Sequence, residues 1–308
     1  MKLETASNNA PRYSVIIAVY NGWAVLDRCL QSLAEQADAP SFEVIVVDDG
    51  SKTASPEFVH RWEKAYPLTV IRQTHRGIAT ARNRGIQASK GSILVFVDSD
   101  CKLQTDCLAA LARVISQSPQ HRCFQFRLTG DCSGLVGRAE ELRLFTLQKH
   151  MLRPDGCIRY LNTAGCAIRK ESVDAGGNVF DPAAPRSEDT LFLAGLMQAG
   201  ELPLFVPDAV VQHAIPLSLL ACFLKDVRSA YLEGQASVLI AAKGVRIRAT
   251  HRERLDMLSS MWEASKRESI GRMAYFVVLI RQVLGRTTSL VSSFWRVRPG
   301  WRATTSSL

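Results

Sequence analysis

Between residues 13 and 98, four apolar runs alternate with stretches of helical periodicity, and that alternation leaves few folds open. "YSVIIAVY" (13–20) is rich in β-branched residues and reads as a buried strand. After the Asn21-Gly22 turn, Leu26, Cys29, Leu30 and Leu33 recur at helical spacing. "FEVIVVDD" (42–49) is a second strand, stopped by Gly50-Ser51, and "PEFVHRWEKAY" (56–66) predicts a helix with Pro56 near its first turn. "LTVIRQ" (68–73) predicts a short strand, "IATARNRGIQAS" (78–89) a helix and "SILVFVD" (92–98) a fourth strand. Strands with no polar alternation are covered on both faces, so the expected class is α/β, with a mostly parallel sheet between two helical layers.

Three of these strands end in polar or acidic turns: Tyr20-Asn21, Asp48-Asp49 and Asp98-Ser99-Asp100. Ligands of open α/β sheets bind beyond the carboxyl ends of the strands, so the three turns are expected around one crevice. Two aspartates one residue apart repel unless a cation sits between them, and in an extended Asp-Ser-Asp both carboxylates lean to one side. Hard oxygen ligands of this kind suit Mg²⁺ or Mn²⁺. The plainer account is a pair of turn acids.

Further along, the spacing predicts a helix near 105–117, a strand near 122–128, a helix near 137–148 and a strand-like "YLNTAGCAIRK" (160–170). "SEDTLFLAGLMQAG" (187–200) has a helix start, with Ser187 as the capping residue and two acids in the first turn. "LPLFVPDAVVQH" (202–213) predicts short strands broken by Pro207, and beyond Pro216 the chain becomes helical and basic.

The eight cysteines, at 29, 101, 107, 123, 132, 157, 166 and 222, form no Cys-x-x-Cys pair and are expected as reduced, mostly buried thiols. The N-terminus lacks the apolar core of a signal peptide, and no apolar run is long enough to span a bilayer. The expected location is cytoplasmic, with the inner face of the cell membrane as a second address. The net charge of +9 is concentrated: from Lys243 onward there are 13 Lys/Arg against 4 Asp/Glu, so the entire excess lies there. Together with the apolar segments 217–242 and 272–286, the flanking Arg272, Arg281 and Arg286, and Trp295 and Trp301, this suits an anionic membrane surface. A helical subdomain packed on the core is the alternative. Nucleic acid is disfavoured, because the arginines are dispersed and form no recognition motif.

In order and approximate spacing, "SVIIAVYNG", "FEVIVVDDGS", "RGIATARNRGI", "ILVFVDSD" and "SEDTLFLAGLMQAG" resemble the family 2 glycosyltransferases, over roughly residues 13–213. The resemblance implies the GT-A fold, a Rossmann-like α/β sheet, and inverting transfer from a nucleotide-sugar. It implies a catalytic domain at 1–214, followed by a basic, mainly helical region at 215–308. It assigns Asp49 to the N3–H of the base (uracil, for a UDP-sugar), with Ala18 and Tyr20 lining that pocket. Arg82 is assigned to base or diphosphate, and Gly165 to the loop below the donor sugar. Asp98 would approach ribose and metal, Asp100 would ligate the metal, and His213 would complete its shell. Asp189 takes the general-base role, with Glu188 orienting the acceptor or its neighbour. The family's "QxxRW" is missing after the "ED" pair, which favours a single transfer, to a glycan or a lipid-linked acceptor, over polymerisation.

Two other readings stay open on residues alone. An Asp-x-Asp phosphohydrolase would make Asp98 a nucleophile but leaves "DDGS" and "ED" unused. A non-catalytic membrane adaptor would need none of the acids. A nicotinamide dehydrogenase is disfavoured, since no G-x-G-x-x-G follows the first strand.

Overall fold

The computed structural model describes residues 11–132, 134–173, 178–184, 186–213, 218–247, 249–266 and 271–296. In chain order the first part runs β1 (Tyr13–Val19), α1 (Trp23–Ala34), β2 (Phe42–Asp48), β3 (Leu68–Arg72), α2 (Ile78–Ala88), β4 (Ile93–Val97) and β5 (Cys101–Leu103). It continues with α3 (Cys107–Gln117), β6 (Cys123–Gly130), α4 (Leu135–Met151), β7 (Gly165–Arg169), α5 (Glu188–Gln198) and β8 (Leu204–His213). Three helices follow: α6 (Leu219–Ala242), α7 (His251–Ser265) and α8 (Gly271–Arg296).

The strands form one sheet in the order β3-β2-β1-β4-β7-β6-β8-β5. The first four are parallel, as their apolar runs require, and β1 pairs with both β2 and β4. The order therefore reverses at β1, which opens a crevice at the carboxyl ends of β1, β2 and β4. On one face Leu26, Leu30 and Leu33 of α1 and Leu108 and Leu111 of α3 pack on Val15, Ile17 and Val95; on the other, Ala79 and Ile86 of α2 pack on Ile16, Leu94 and Phe96. Helix α2 sits close to the sheet because Gly85 faces Ile16: a Cβ there would lie 2.4 Å from Ile16 Cγ2.

The sheet is mostly parallel, as expected: β6 and β8 also pair in parallel, and only β7, antiparallel between β4 and β6, and β5, antiparallel to β8, run the other way. Three expectations need correction. Residues 57–64 form a 3₁₀ helix instead of an α-helix, beginning after the extended Pro56. The 202–213 segment is one strand, not two: its register jumps from Phe126↔Val206 to Arg127↔Val210, so Pro207, which has no N–H to donate, bulges out with Asp208 and Ala209. Ser187 does not cap α5; its backbone is left-handed (φ 67°) and its hydroxyl makes no capping bond.

The C-terminal helices pack on α4 and α5. Cys222 of α6 meets Val136 of α4, and Ala236 meets Leu191 of α5. Met261 of α7 and Ala274 and Val278 of α8 cluster with Ala139 and Leu142 of α4. Arg281 of α8 pairs with Asp226 of α6 at 2.6 Å and with the buried Glu140 of α4 at 3.0 Å. Among the described residues no helix is long and apolar enough to cross a membrane. Pro216, the first residue of the 217–242 segment, and Trp301 lie outside the described residues, as does the side chain of Trp295.

Candidate active site

The first cluster stands at the ends of β1 and β2. Asp48 Oδ1 accepts the Ser51 amide at 2.9 Å, which makes Asp48 a turn residue, as its place before Gly50 suggests. Asp49 is buried and crowded with donors: Gln73 Nε2 at 2.8 Å, the amides of Arg76 and Gly77 at 2.9 Å each, and His75 Nδ1 at 2.8 Å. Gly77 presents its N–H from a backbone at φ +90°, a conformation that suits glycine. The His75 ring also stacks on Tyr20, with centroids 4.1 Å apart and planes 19° from parallel. Ala18 packs beside Ala81 and Val47 under the same pocket. The two loops are fastened together, since Asn21 accepts the Lys52 amide at 2.8 Å and donates its own amide to Ser51 Oγ at 2.8 Å.

The second cluster joins the Asp-Ser-Asp turn to the Glu-Asp pair. Arg82 is only 2% exposed; Nη2 donates to Asp98 Oδ1 at 2.7 Å and Nη1 donates to Glu188 Oε1. Burial alone would lower its pKa, but Asp98 and Glu188 outweigh burial and raise it, so the guanidinium stays charged. Glu188 is buried beside it. Asp189, next in the chain at the start of α5, accepts from the Thr190 amide at 2.6 Å. Burial, then the charge of Glu188, push its carboxyl up to about 7, against the opposing pull of Arg82 and the Thr190 hydrogen bonds.

The third cluster follows from sheet register. β5 pairs with β8 so that Cys101 faces His213, which brings the preceding Asp100 to the end of β8. His213 Nε2 lies 3.3 Å from Asp100 Oδ1. Burial works against both charges, yet mutual attraction prevails: Asp100 is held below the usual carboxylate range and His213 above the usual imidazole value. The Cys101 thiol stands in the same group, but burial drives its pKa well up, and a protonated thiol is a poor ligand for a hard cation.

The predicted residues thus fall into three adjoining groups: Tyr20 with Asp49; Asp98 with Arg82, Glu188 and Asp189; and Asp100 with His213. Asp98 is turned toward Arg82, while Asp100 and His213 supply the oxygen and imidazole donors that suit Mn²⁺ or Mg²⁺. Gly165 is explained by packing: it lies inside β7, where a Cβ would come within 2.8 Å of Leu128 and 3.2 Å of Val211. Residue-level reading missed His75 and Gln73. The signal was the polar run "QTHRG" between a strand and a helix, next to the crevice.

An open α/β sheet with polar and acidic side chains gathered at its switch point is an architecture that binds a ligand there. Residues 14–176, more than half of the chain, match the sequence profile of Glycosyl transferase family 2, so the chain belongs to that family of glycosyltransferases. It is 36% identical to the putative glycosyltransferase EpsH of Bacillus subtilis over 104 residues, 33% of this chain and 30% of that protein. The match spans about a third of the length of the curated relatives. Among solved structures, the fold is similar to mannosyltransferase PcManGT from Pyrobaculum calidifontis in complex with GDP-Man and Mn²⁺ (TM-score 0.58, 18% identity, 94% of this chain and 88% of that one). It is also similar to residues 1–349 of S. aureus TarS in complex with UDP-GlcNAc (TM-score 0.55, 17% identity, 92% and 89%). These likenesses identify the fold as GT-A. The phosphohydrolase reading falls with the family assignment.

Proposed function

We propose that this chain moves a single sugar from a nucleotide-diphosphate donor to an acceptor hydroxyl with inversion, and that Asp189 is its general base. The observation that carries the reading is the buried Arg82 guanidinium, which ties the Asp-Ser-Asp turn to the Glu-Asp pair. One side chain thereby fixes the acid beside the donor's diphosphate relative to the acid that faces the acceptor.

The residues divide the work as follows. Tyr20 offers a flat face for the nucleobase, and Asp49 accepts its N–H once the His75 ring gives up its place on the carboxylate. Asp100 and His213, with the second oxygen of Asp98, would hold a divalent cation, which when bound supplies positive charge to a departing diphosphate. Similar folds bound to Mn²⁺, and to GDP-Man or UDP-GlcNAc, support both assignments. The acceptor hydroxyl attacks the anomeric carbon from the face opposite the leaving group, and Asp189 takes its proton. A carboxylate with a pKa near 7 is a stronger base than an ordinary aspartate and is still ionised in half of the molecules at neutral pH. The attacking bond forms as the glycosidic bond to phosphate breaks, and the electron pair leaves with the nucleoside diphosphate.

A thermal-shift screen of nucleotide-sugars, with and without Mn²⁺, tests the donor and metal assignments together. UDP- or GDP-sugars are expected to raise the melting temperature only with the cation present, and Asp100→Ala is expected to abolish the shift. A metal-independent shift of equal size, or an unaltered shift in Asp100→Ala, would remove Asp100 from the site.

A further inference from the structure

Among the described residues, helices α6 and α8 bury one side each and leave the other exposed. On α6, Leu220, Leu224, Val227 and Val238 recur at helical spacing, with Leu220, Leu224 and Val238 68%, 63% and 68% exposed. On α8, Met273, Phe276, Ile280 and Val283 do the same, with Phe276 and Val283 55% and 61% exposed. Each stripe lies on the side of its helix turned away from the residues that grip the catalytic part, Cys222 and Ala236 on α6 and Ala274 and Val278 on α8. The helices run parallel and side by side, because Asp226 pairs with Arg281 and Ala230 meets Gly285 one turn further along both. Two adjacent apolar stripes on one outer surface exceed the scattered apolar residues expected of a solvated rim.

The charges beside the stripes are of one sign. Arg228, Arg272 and Arg286 are exposed and have no acidic partner among the described residues. Asp226, the one acid among the described side chains of the two helices, is engaged by Arg281. A second copy docked through this face by a twofold axis would bring these cations together, whereas an anionic lipid surface complements them.

We infer that the outer faces of α6 and α8 dock this protein on an anionic lipid bilayer, with the apolar stripes at the level of the headgroups and the arginines among the phosphates. The Arg281 bridge to Glu140 and Asp226 fixes both helices to α4, so the docked surface holds the catalytic part in one orientation. This inference does not depend on the transfer chemistry: vesicle binding reads the helices, and the donor-dependent thermal shift reads the site.

Flotation of the full chain with phosphatidylglycerol vesicles, against phosphatidylcholine vesicles, provides the test. The chain is expected to float with the anionic vesicles and far less with the neutral ones, and to be released by salt. Arg272→Glu with Arg286→Glu is expected to weaken binding roughly thirtyfold or more, since each basic residue near the surface accounts for about a fivefold factor. Leu224→Ser with Phe276→Ser and Ile280→Ser is expected to abolish binding. All these positions are exposed, and the melting temperature checks that both variants are folded. Failure of the wild-type chain to float, whether a second copy or residues 297–308 cover the face, would overturn the inference. So would variants that float like wild type.

Discussion

Asp189→Asn is expected to lower kcat by roughly 10²–10⁴-fold, the usual worth of a general base, while the donor-dependent thermal shift is retained. The amide keeps the size and the hydrogen bond to the Thr190 amide but cannot take a proton. For the wild-type chain, kcat/KM is expected to climb with pH and to reach half its plateau near 7, because below that value burial and Glu188 keep Asp189 protonated. The residual activity of the variant should lack this limb. Stability supplies a second readout with a definite sign. The folded pKa of about 7 stands above the ordinary 3.8, so the folded state holds this proton more tightly than the unfolded chain. The stabilisation is complete below the ordinary value and is lost as pH rises through about 7. An asparagine has no such cost, so the variant should gain on wild type in melting temperature between acid and mildly alkaline pH. Full transfer activity in Asp189→Asn, or an unshifted pH limb, would take the base role from Asp189.

How far the site could be read from residues depended on whether a local period carried the information. The strands β1, β2 and β4 announced themselves because continuous apolar runs have no other use in a chain of this composition, and their acidic ends marked the crevice. β7 was recognised as strand-like, but its antiparallel direction was not legible. Its five residues carry no directional signal, and their direction is decided by which neighbours they meet after a long excursion through α4. β5, with three residues, was too short to be seen, yet its pairing with β8 is what joins Asp100 to His213. His213 was therefore readable only through family resemblance.

Arg82 is the instructive case. In sequence it looks like a solvated cation on a helix, but Ala79, Arg82, Asn83 and Ile86 follow the spacing of a buried stripe, and all four are buried. A charged residue in an apolar stripe must bring its counter-ions with it, and the nearest acids in the fold are those at the strand and helix ends. Asn83 obeys the same rule more quietly, since its side chain satisfies the backbone at Val179 and Phe180. The stripe was visible; the partners, 16 and 106 residues away, were not.

That arrangement makes Arg82 the position with the largest expected combined effect. Arg82→Met keeps an unbranched apolar stem but leaves Glu188 buried without a counter-ion, and the loss of one partner of a buried pair costs about 3–5 kcal/mol. Most of that belongs to Glu188, because Asp98 is about a third exposed and water screens its share. Chemical denaturation should show the deficit at neutral pH and a smaller one in acid, where an unpaired carboxyl can be protonated instead of buried as an anion. Adding Glu188→Gln to Arg82→Met should recover much of the stability and none of the transfer activity, since Asp98 and the start of α5, which carries Asp189, remain without the guanidinium that joins them. Arg82→Lys should restore charge but not geometry: a single ammonium lacks the two-pronged fork that now reaches both acids. If Arg82→Met unfolds at the same denaturant concentration as wild type at every pH and transfers sugar at an unchanged rate, the guanidinium neither balances the acids nor sets their positions, and the coupling between donor and acceptor sides must be sought in the backbone of α5.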